Sequence, residues 1–408
     1  MKNVSKPKGK WTVMVYMVAD TGDSFYQAAM KNITEMTEAR FNDQIKVVVH
    51  ADAPSPWLTK CWEVQGASEV KGGEATKIDC GHSCLVDFVE KSMNSYESDH
   101  YLLVLWGHGE GIDWKKKVLG KRKTMDPIIG VGKRFAPGSE GVMEVGELGK
   151  ALKELHLNKN IKDNVVLGFD ACLMGMVEVY YEIREYVGWA VAANDEIPDT
   201  GWPYKDILNQ LGNNPGIGPE TLAGNIVEEC TSWYSRNSPG SKVSFSACNL
   251  ATSDGLRSAA KKLTSELRKR IKEDSVRNAI SEARDFAEDL SEEAYVDLNA
   301  FCSELKRQAK LMGNGPKPYQ LGDAAANGIQ DAASNVMQAL KGFAFKHCVS
   351  DEYPYKYWEH SSAVSICFPK SGDLAGSIPG IAVDWRSYVD LDFSKATDWP
   401  ELMKEFWG

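Results

Sequence analysis

The chain has no uninterrupted run of about 18 apolar residues, so it offers no candidate for a membrane-spanning helix. Basic residues are in the minority: 47 Lys and Arg against 57 Asp and Glu leave a formal charge of −10. General binding of nucleic acid needs a basic face that this balance does not supply, so neither nucleic acid nor a membrane is an expected partner. There is no P-loop, no G-x-S-x-G elbow and no dinucleotide fingerprint, which disfavours NTPase, serine-hydrolase and oxidoreductase chemistry. No internal repeat or low-complexity tract occurs. The nine cysteines are odd in number and show no compact framework, which excludes a disulfide mini-protein. Several sit in apolar runs, as Cys367 does in Ala363–Phe368, where a reduced thiol packs as a small hydrophobe and fits a reducing compartment.

What is present is the balance of a soluble globular protein, with 43% hydrophobic and 25% charged residues. At about 150 residues per domain, 408 residues suggest two or three domains or one elaborated α/β unit. Near the N-terminus, Lys2, Lys6, Lys8 and Lys10 precede the apolar run Trp11–Ala19, an order that superficially resembles a signal peptide. The run ends at Asp20 without a small-x-small cleavage site and is rich in β-branched residues, so it is read as a buried first strand. With no clear leader the expected location is cytoplasmic, or outside the cell if a leader has been removed.

Further strands are expected at 45–50, 101–106, 164–169, 188–193, 243–248 and 362–368, with helices near 24–40, 83–95, 144–155 and 172–186. Near-continuous apolar runs suit strands covered on both faces, and their alternation with helices predicts a mostly parallel sheet sandwiched by helices. Residues 251–345 read as charged amphipathic helices. The expected division is a catalytic core over 1–250 and a helical elaboration over 251–408 that returns the late strand 362–368 to the core. Asn213–Gly218 and Met312–Pro318 are linker candidates. Residues 115–142 carry eight Lys or Arg, five Gly and two Pro and read as an exposed basic loop.

Two strand candidates deliver reactive residues at their C-terminal ends: Trp106-Gly-His-Gly-Glu-Gly111 and Asp170-Ala-Cys-Leu-Met174. In open α/β sheets such ends line the ligand crevice, so neighbouring strands would bring His108 and Cys172 together. The imidazole could activate the thiol or hold it as an ion pair. If Cys172 also opens the helix 172–186, the positive end of the helix favours the thiolate. Taken singly, each residue also fits an ordinary role: His108 in a loop, Cys172 in packing.

Trp106-Gly-His-Gly109 and Phe169-Asp-Ala-Cys-Leu-Met-Gly-Met176 resemble the two signature segments of the clostripain family of cysteine peptidases, in the clan of caspases, legumains and gingipains. The resemblance runs nearly end to end, through Lys10–Asp20, Asp199–Tyr204, Val243–Ser246, Val296–Phe301 and Ala363–Pro369. It implies a caspase-like α/β/α sandwich with helical C-terminal elaborations. It also implies a cysteine endopeptidase with Cys172 as nucleophile, His108 as general acid/base, no third orienting acid, and backbone N–H groups of Gly109 and Cys172 as oxyanion hole. The family cleaves after Arg or Lys, and the acidic residue two before the nucleophile, here Asp170, is linked to that preference. Helix capping is the alternative role for Asp170. Asp199 is a second candidate for the pocket.

Some relatives are activated by cleavage between the two signatures, so self-cleavage within the basic loop 115–134 is expected. The implied partners are peptides or proteins with exposed Arg or Lys, acted on by a monomer. No cofactor is required. Calcium helps some relatives and stays open as a structural or activating ion; with no EF-hand pattern present, its site would be assembled from scattered carboxylates. Cys80-Gly-His-Ser-Cys84 has zinc-type ligands yet lacks an obvious fourth, so no metal site is expected there. Tyr353–Trp358 is an aromatic patch expected to be buried. A catalytically silent scaffold of the same fold is the rival reading, favoured by a missing His or Cys; both are present. Activity is expected to fall at acid pH as the nucleophile is protonated.

Overall fold

Each apolar run of the first half forms a strand whose alternate residues are buried on opposite faces. In the first strand Trp11, Val13, Val15 and Met17 enter one apolar cluster, and Met14, Tyr16 and Val18, in and just beyond it, enter the other. A computed structural model describes residues 8–19, 23–52, 60–65, 69–72, 82–109, 111–112, 143–155, 161–287, 290–291, 294–313, 322–351, 360–369 and 385–408. The strands are β1 (Gly9–Met17), β2 (Ile45–Ala51), β3 (Lys60–Gln65), β4 (Glu69–Gly72), β5 (Ser98–Trp106), β6 (Val165–Asp170) and β7 (Trp189–Ala193). They continue with β8 (Ser244–Asn249), β9 (Tyr295–Asp297), β10 (Ala344–Val349) and β11 (Ser365–Cys367).

Among the described residues nine strands form one sheet in the order β10-β8-β7-β6-β5-β1-β2-β3-β4. The inner strands β2, β1, β5, β6 and β7 run parallel. The outer pairings β7–β8, β8–β10, β2–β3 and β3–β4 are antiparallel. Met17 pairs with Trp106 and Trp106 with Asp170, so β1, β5 and β6 end level with one another.

The helices are α1 (Asp23–Glu38), α2 (His82–Ser95), α3 (Val145–Glu154), α4 (Val177–Ile183), α5 (Tyr204–Asn213), α6 (Pro219–Asn237) and α7 (Ser253–Arg268). They continue with α8 (Asp274–Phe286), α9 (Leu298–Gly313), α10 (Asp323–Phe343), α11 (Trp385–Asp390), α12 (Asp392–Thr397) and α13 (Trp399–Trp407). One face of the sheet is covered by α1, α5 and α6 through residues such as Ile33, Leu211 and Ile226. The other is covered by α2, α3 and α4 and, beyond them, α7–α10, α12 and α13, through residues such as Leu85, Leu148, Val179 and Leu263. Gly168 in mid-β6 leaves room for Trp202, whose ring would lie 2.5 Å from any Cβ added there.

Most expected elements are present, with three corrections. The stretch 362–368 holds only the three-residue β11, which pairs antiparallel with β9 in a separate two-stranded sheet. The strand that returns to the central sheet from 251–408 is β10, an edge strand with only its two ends buried, so it lacks the continuous apolar run that marks its neighbours. The helix expected at 172–186 begins at Val177. Its first residues are instead a tight turn, with Leu173 in the left-handed region at φ 60°. Asn213–Gly218 is the joint between α5 and α6, where Pro219 opens α6. The basic loop 115–134, the aromatic patch 353–358 and most of the second linker lie outside the described residues.

Candidate active site

The level ends of β5 and β6 deliver Gly107-His108 and Ala171-Cys172 side by side. The Gly107 N–H donates to the Asp170 carbonyl at 3.2 Å, tying the two exits together. His108 and Cys172, 64 positions apart in the chain, line one cleft with Phe25, Trp106, Asp170, Ile197, Pro198, Asp199 and Gly201. Both the imidazole and the thiol are half-buried. The His108 ring lies flat on Phe25 of α1, with centroids 3.9 Å apart and planes 8° from parallel.

The Cys172 turn is stitched to the segment that follows β7. Leu173 N–H donates to the Asp195 carbonyl at 3.1 Å and Gly175 N–H to the Ala193 carbonyl at 2.7 Å. Gly175 sits so close to Ala193 and Asn194 that an added Cβ would lie 2.7 Å from the Asn194 nitrogen. Gly109 is held still tighter: a Cβ there would fall 2.0 Å from the Cys172 carbonyl oxygen and 2.9 Å from its nitrogen. Only glycine permits this approach of two main chains.

The Cys172 Sγ accepts from the Ile197 N–H at 3.3 Å and lies 3.5 Å from the Ile197 carbonyl. Burial pushes the thiol up to about 11, the carboxylates of Glu196, Asp170 and Asp199 push the same way, and the Ile197 N–H opposes them. The expected help from a helix dipole is absent, because α4 starts five residues downstream with Met176 as its cap. Burial thus favours the thiol of Cys172 over the thiolate.

Asp170 does not cap a helix. Its Oδ2 accepts from the Trp202 N–H at 3.0 Å and the Tyr204 hydroxyl at 2.8 Å, while Oδ1 has no hydrogen-bond partner. The side chain is 2% exposed, and burial raises its pKa to about 7 against the pull of those two donors. Gly201, at φ +70°, lets the turn pass over this carboxylate, since a Cβ there would meet Asp170 Oδ2 at 2.8 Å. Asn32 of α1 supports the same wall, accepting from Trp106 Nε1 at 2.9 Å and donating to the Thr200 carbonyl at 2.9 Å. Asp199 stands exposed at the rim. Among the described residues no group of three His, Cys, Asp or Glu side chains is arranged to hold a metal ion, and His82 of the Cys80–Cys84 motif pairs with Glu154 at 2.6 Å.

Sequence reasoning missed Phe25, Ile197, Trp202 and Tyr204. The last two lie in a stretch that resembles a family landmark, but nothing local shows that they grip Asp170. Phe25 is one apolar residue of an amphipathic helix and carries no signal of its own.

A thiol and an imidazole at the carboxyl ends of adjacent parallel strands, in a three-layer sandwich, define the caspase-like class of α/β protein. The chain belongs to the clostripain family, peptidase C11, whose sequence profile matches residues 15–407. It is 29% identical over 149 residues to clostripain of Hathewaya histolytica, a stretch covering 34% of this chain and 26% of that protein. The fold is similar to that of an inactive zymogen C11 protease from Parabacteroides distasonis, with a TM-score of 0.65 and 16% identity over 97% of this chain and 99% of that one. It is also similar to a secreted C11 cysteine protease from Bacteroides thetaiotaomicron in complex with an irreversible peptide inhibitor, with a TM-score of 0.63 and 19% identity over 96% and 99% of the two chains.

Proposed function

We propose that the protein is a cysteine endopeptidase that cleaves after Arg or Lys. The observation that carries this reading is the cleft in which His108 and Cys172 face a buried carboxylate, Asp170, with one oxygen left unpartnered. Because the resting group is a thiol, His108 takes the Sγ proton as sulfur attacks the scissile carbonyl carbon. The oxyanion that forms accepts from the Gly109 and Cys172 N–H groups. Collapse breaks the C–N bond, His108 passes the proton to the departing amine, and a thioester remains on Cys172. Water, deprotonated by His108, attacks that thioester and releases the carboxylic acid and the thiol.

An unpaired carboxylate buried in a fold is costly and is kept where a cation will meet it. A P1 guanidinium or ammonium would satisfy Asp170 Oδ1 by a charge-assisted bond, with Asp199 at the rim as a second anion. The test is labelling by an Arg- or Lys-based acyloxymethyl ketone under reducing conditions, with and without calcium. Modification confined to Cys172 and lost in Cys172→Ala and His108→Ala is expected. No labelling under any condition would favour a silent scaffold.

A further inference from the structure

Both catalytic segments leave the central sheet as loops, and the hydrogen bonds of β5 and β6 stop just before His108 and Cys172. Besides the separate ties of each segment to Phe25 and to the residues after β7, both are held farther out by one common element, the two-stranded ribbon of β9 and β11, drawn from residues more than 110 positions later in the chain. The Tyr295 hydroxyl in β9 donates to the Ile112 carbonyl, four residues beyond His108. The Ser365 N–H in β11 donates to the Gly175 carbonyl at 2.8 Å, three residues beyond Cys172, and Ser365 bridges Met176 in parallel. The two strands are themselves paired, Cys367 opposite Tyr295 and Ser365 opposite Asp297.

The three pieces meet at Gly111. A Cβ there would lie 2.5 Å from Met176 Sδ, 2.9 Å from the Tyr295 ring and 3.0 Å from the Leu173 carbonyl, and its φ is +68°. His loop, Cys turn and ribbon are thus in contact at one residue without slack. The ribbon's own position is pinned by the fully buried Asp297. That carboxylate accepts from the Asn299 and Ala300 N–H groups at 2.9 Å each, from the Ser361 hydroxyl at 2.7 Å and from the Ser362 N–H. Tyr295 is 1% exposed and Ser365 is fully buried, so neither can touch a substrate.

We propose that the β9–β11 ribbon is a yoke that sets the separation of His108 and Cys172, with Tyr295 as its positioning residue. The inference rests on the dyad reading above. Proton transfer between the two side chains depends on their spacing, and a misplacement of about 1 Å can cost on the order of a hundredfold in rate. Tyr295→Phe removes one hydroxyl and releases the Ile112 carbonyl while leaving ring packing in place.

The experiment measures kcat and KM on a Lys- or Arg-terminated peptide ester or amide, and the pH dependence of Cys172 alkylation by iodoacetamide, for the full-length chain. Tyr295→Phe is expected to lower kcat by about ten- to a hundredfold with KM within about twofold. Its alkylation profile should shift toward that of His108→Ala, and adding Tyr295→Phe to His108→Ala should change the alkylation rate no further, because the two act through one contact. A kcat unchanged in Tyr295→Phe, or a full additional effect in the His108→Ala background, overturns the yoke and leaves the peptidase reading standing. A wild type that neither turns over nor labels overturns both. Should Tyr295→Phe fail to fold, Ser365→Ala, which strips only the Oγ contact to the Gly175 carbonyl at 3.3 Å, serves the same comparison with a smaller loss expected in kcat.

Discussion

At Asp170 stability and function pull in opposite directions. Its pKa in the fold is about 7, far above the ordinary carboxylate, because burial penalises the charge. The native state therefore binds a proton there that the unfolded chain has already lost between about pH 4 and 7, and folding stability declines as pH rises through that window. The proposed basic specificity has the opposite demand, since a cationic P1 side chain would need the ionised form. We expect kcat/KM for Arg and Lys substrates to fall as pH drops through about 7, which replaces protonation of the nucleophile as the cause of an acid limb. Asp170→Asn should abolish that limb and lower kcat/KM about a hundredfold or more, in line with the roughly 2–5 kcal/mol lost when one partner of a buried charge pair is removed. Its amide oxygen can still accept from Trp202 and Tyr204, so urea unfolding at pH 8 should show stability equal to wild type or higher. A variant that is destabilised but keeps its basic preference would return Asp170 to a purely structural role. Cys172→Ala and His108→Ala should each reduce peptide hydrolysis at least a thousandfold with the melting temperature unchanged, read by steady-state kinetics beside calorimetry.

Among the elements, α4 ties the Cys172 turn to the C-terminal part of the chain. Glu178 in its first turn is fully buried; Oε1 accepts from the Cys367 N–H of β11 at 2.9 Å and from the Tyr388 hydroxyl of α11 at 3.2 Å. Burial raises its pKa to about 7. The sign again follows from extra protons on the native state, so its contribution is full below about pH 4.5 and is lost as pH rises from there to about 7. Glu178→Gln is expected to flatten the stability-against-pH curve between about pH 4.5 and 7 and to stabilise the protein above that range. Urea midpoints measured across that range check it; a parallel, uniformly lower curve would count against it. The element boundaries explain what was legible. Strands β1, β2, β5, β6 and β7 could be read because burial on both faces leaves continuous apolar runs. The onset of α4 could not, because Leu173 adopts φ 60° under long-range bonds to Asp195 and Ala193, and nothing in Cys-Leu-Met-Gly foretells them. Strand β10 escaped notice because an edge strand with exposed positions leaves no such run.

For the molecule as a whole, the apolar cluster on one face of the sheet runs from Met14 to Phe406 without a break between residues before and after 250. Trp399 of α13 shows why the C-terminus matters to the core. It is fully buried, donates from Nε1 to the Cys367 carbonyl at 2.8 Å and meets Phe301 and Phe368 edge-on. Trp399→Ala should cost about 3–5 kcal/mol and lower the whole unfolding transition, with far-UV signal and activity lost together. Loss of activity well before the far-UV signal would show that the C-terminal part unfolds separately. We also infer that the basic loop 115–134 is a substrate of the enzyme's own specificity. Purified wild type should be nicked there and Cys172→Ala should stay whole; equal nicking of both, or of neither, would remove self-processing.

Composition and local order were enough to establish the layered α/β architecture and to place His108 and Cys172 at the ends of strands, while their pairing as a dyad and the part given to Asp170 came with the resemblance to the clostripain family. Apolar periodicity and the residues that end each run are properties of short stretches of chain. Only the tertiary structure decided the surroundings of those residues: that burial favours the Cys172 thiol and pushes the Asp170 carboxyl up, that Phe25 lies against the imidazole, and that Tyr295 and Ser365 bind the two loops. Desolvation depends on every atom that excludes water, and contacts between residues 112 and 295 or 175 and 365 exist only once the chain has closed on itself.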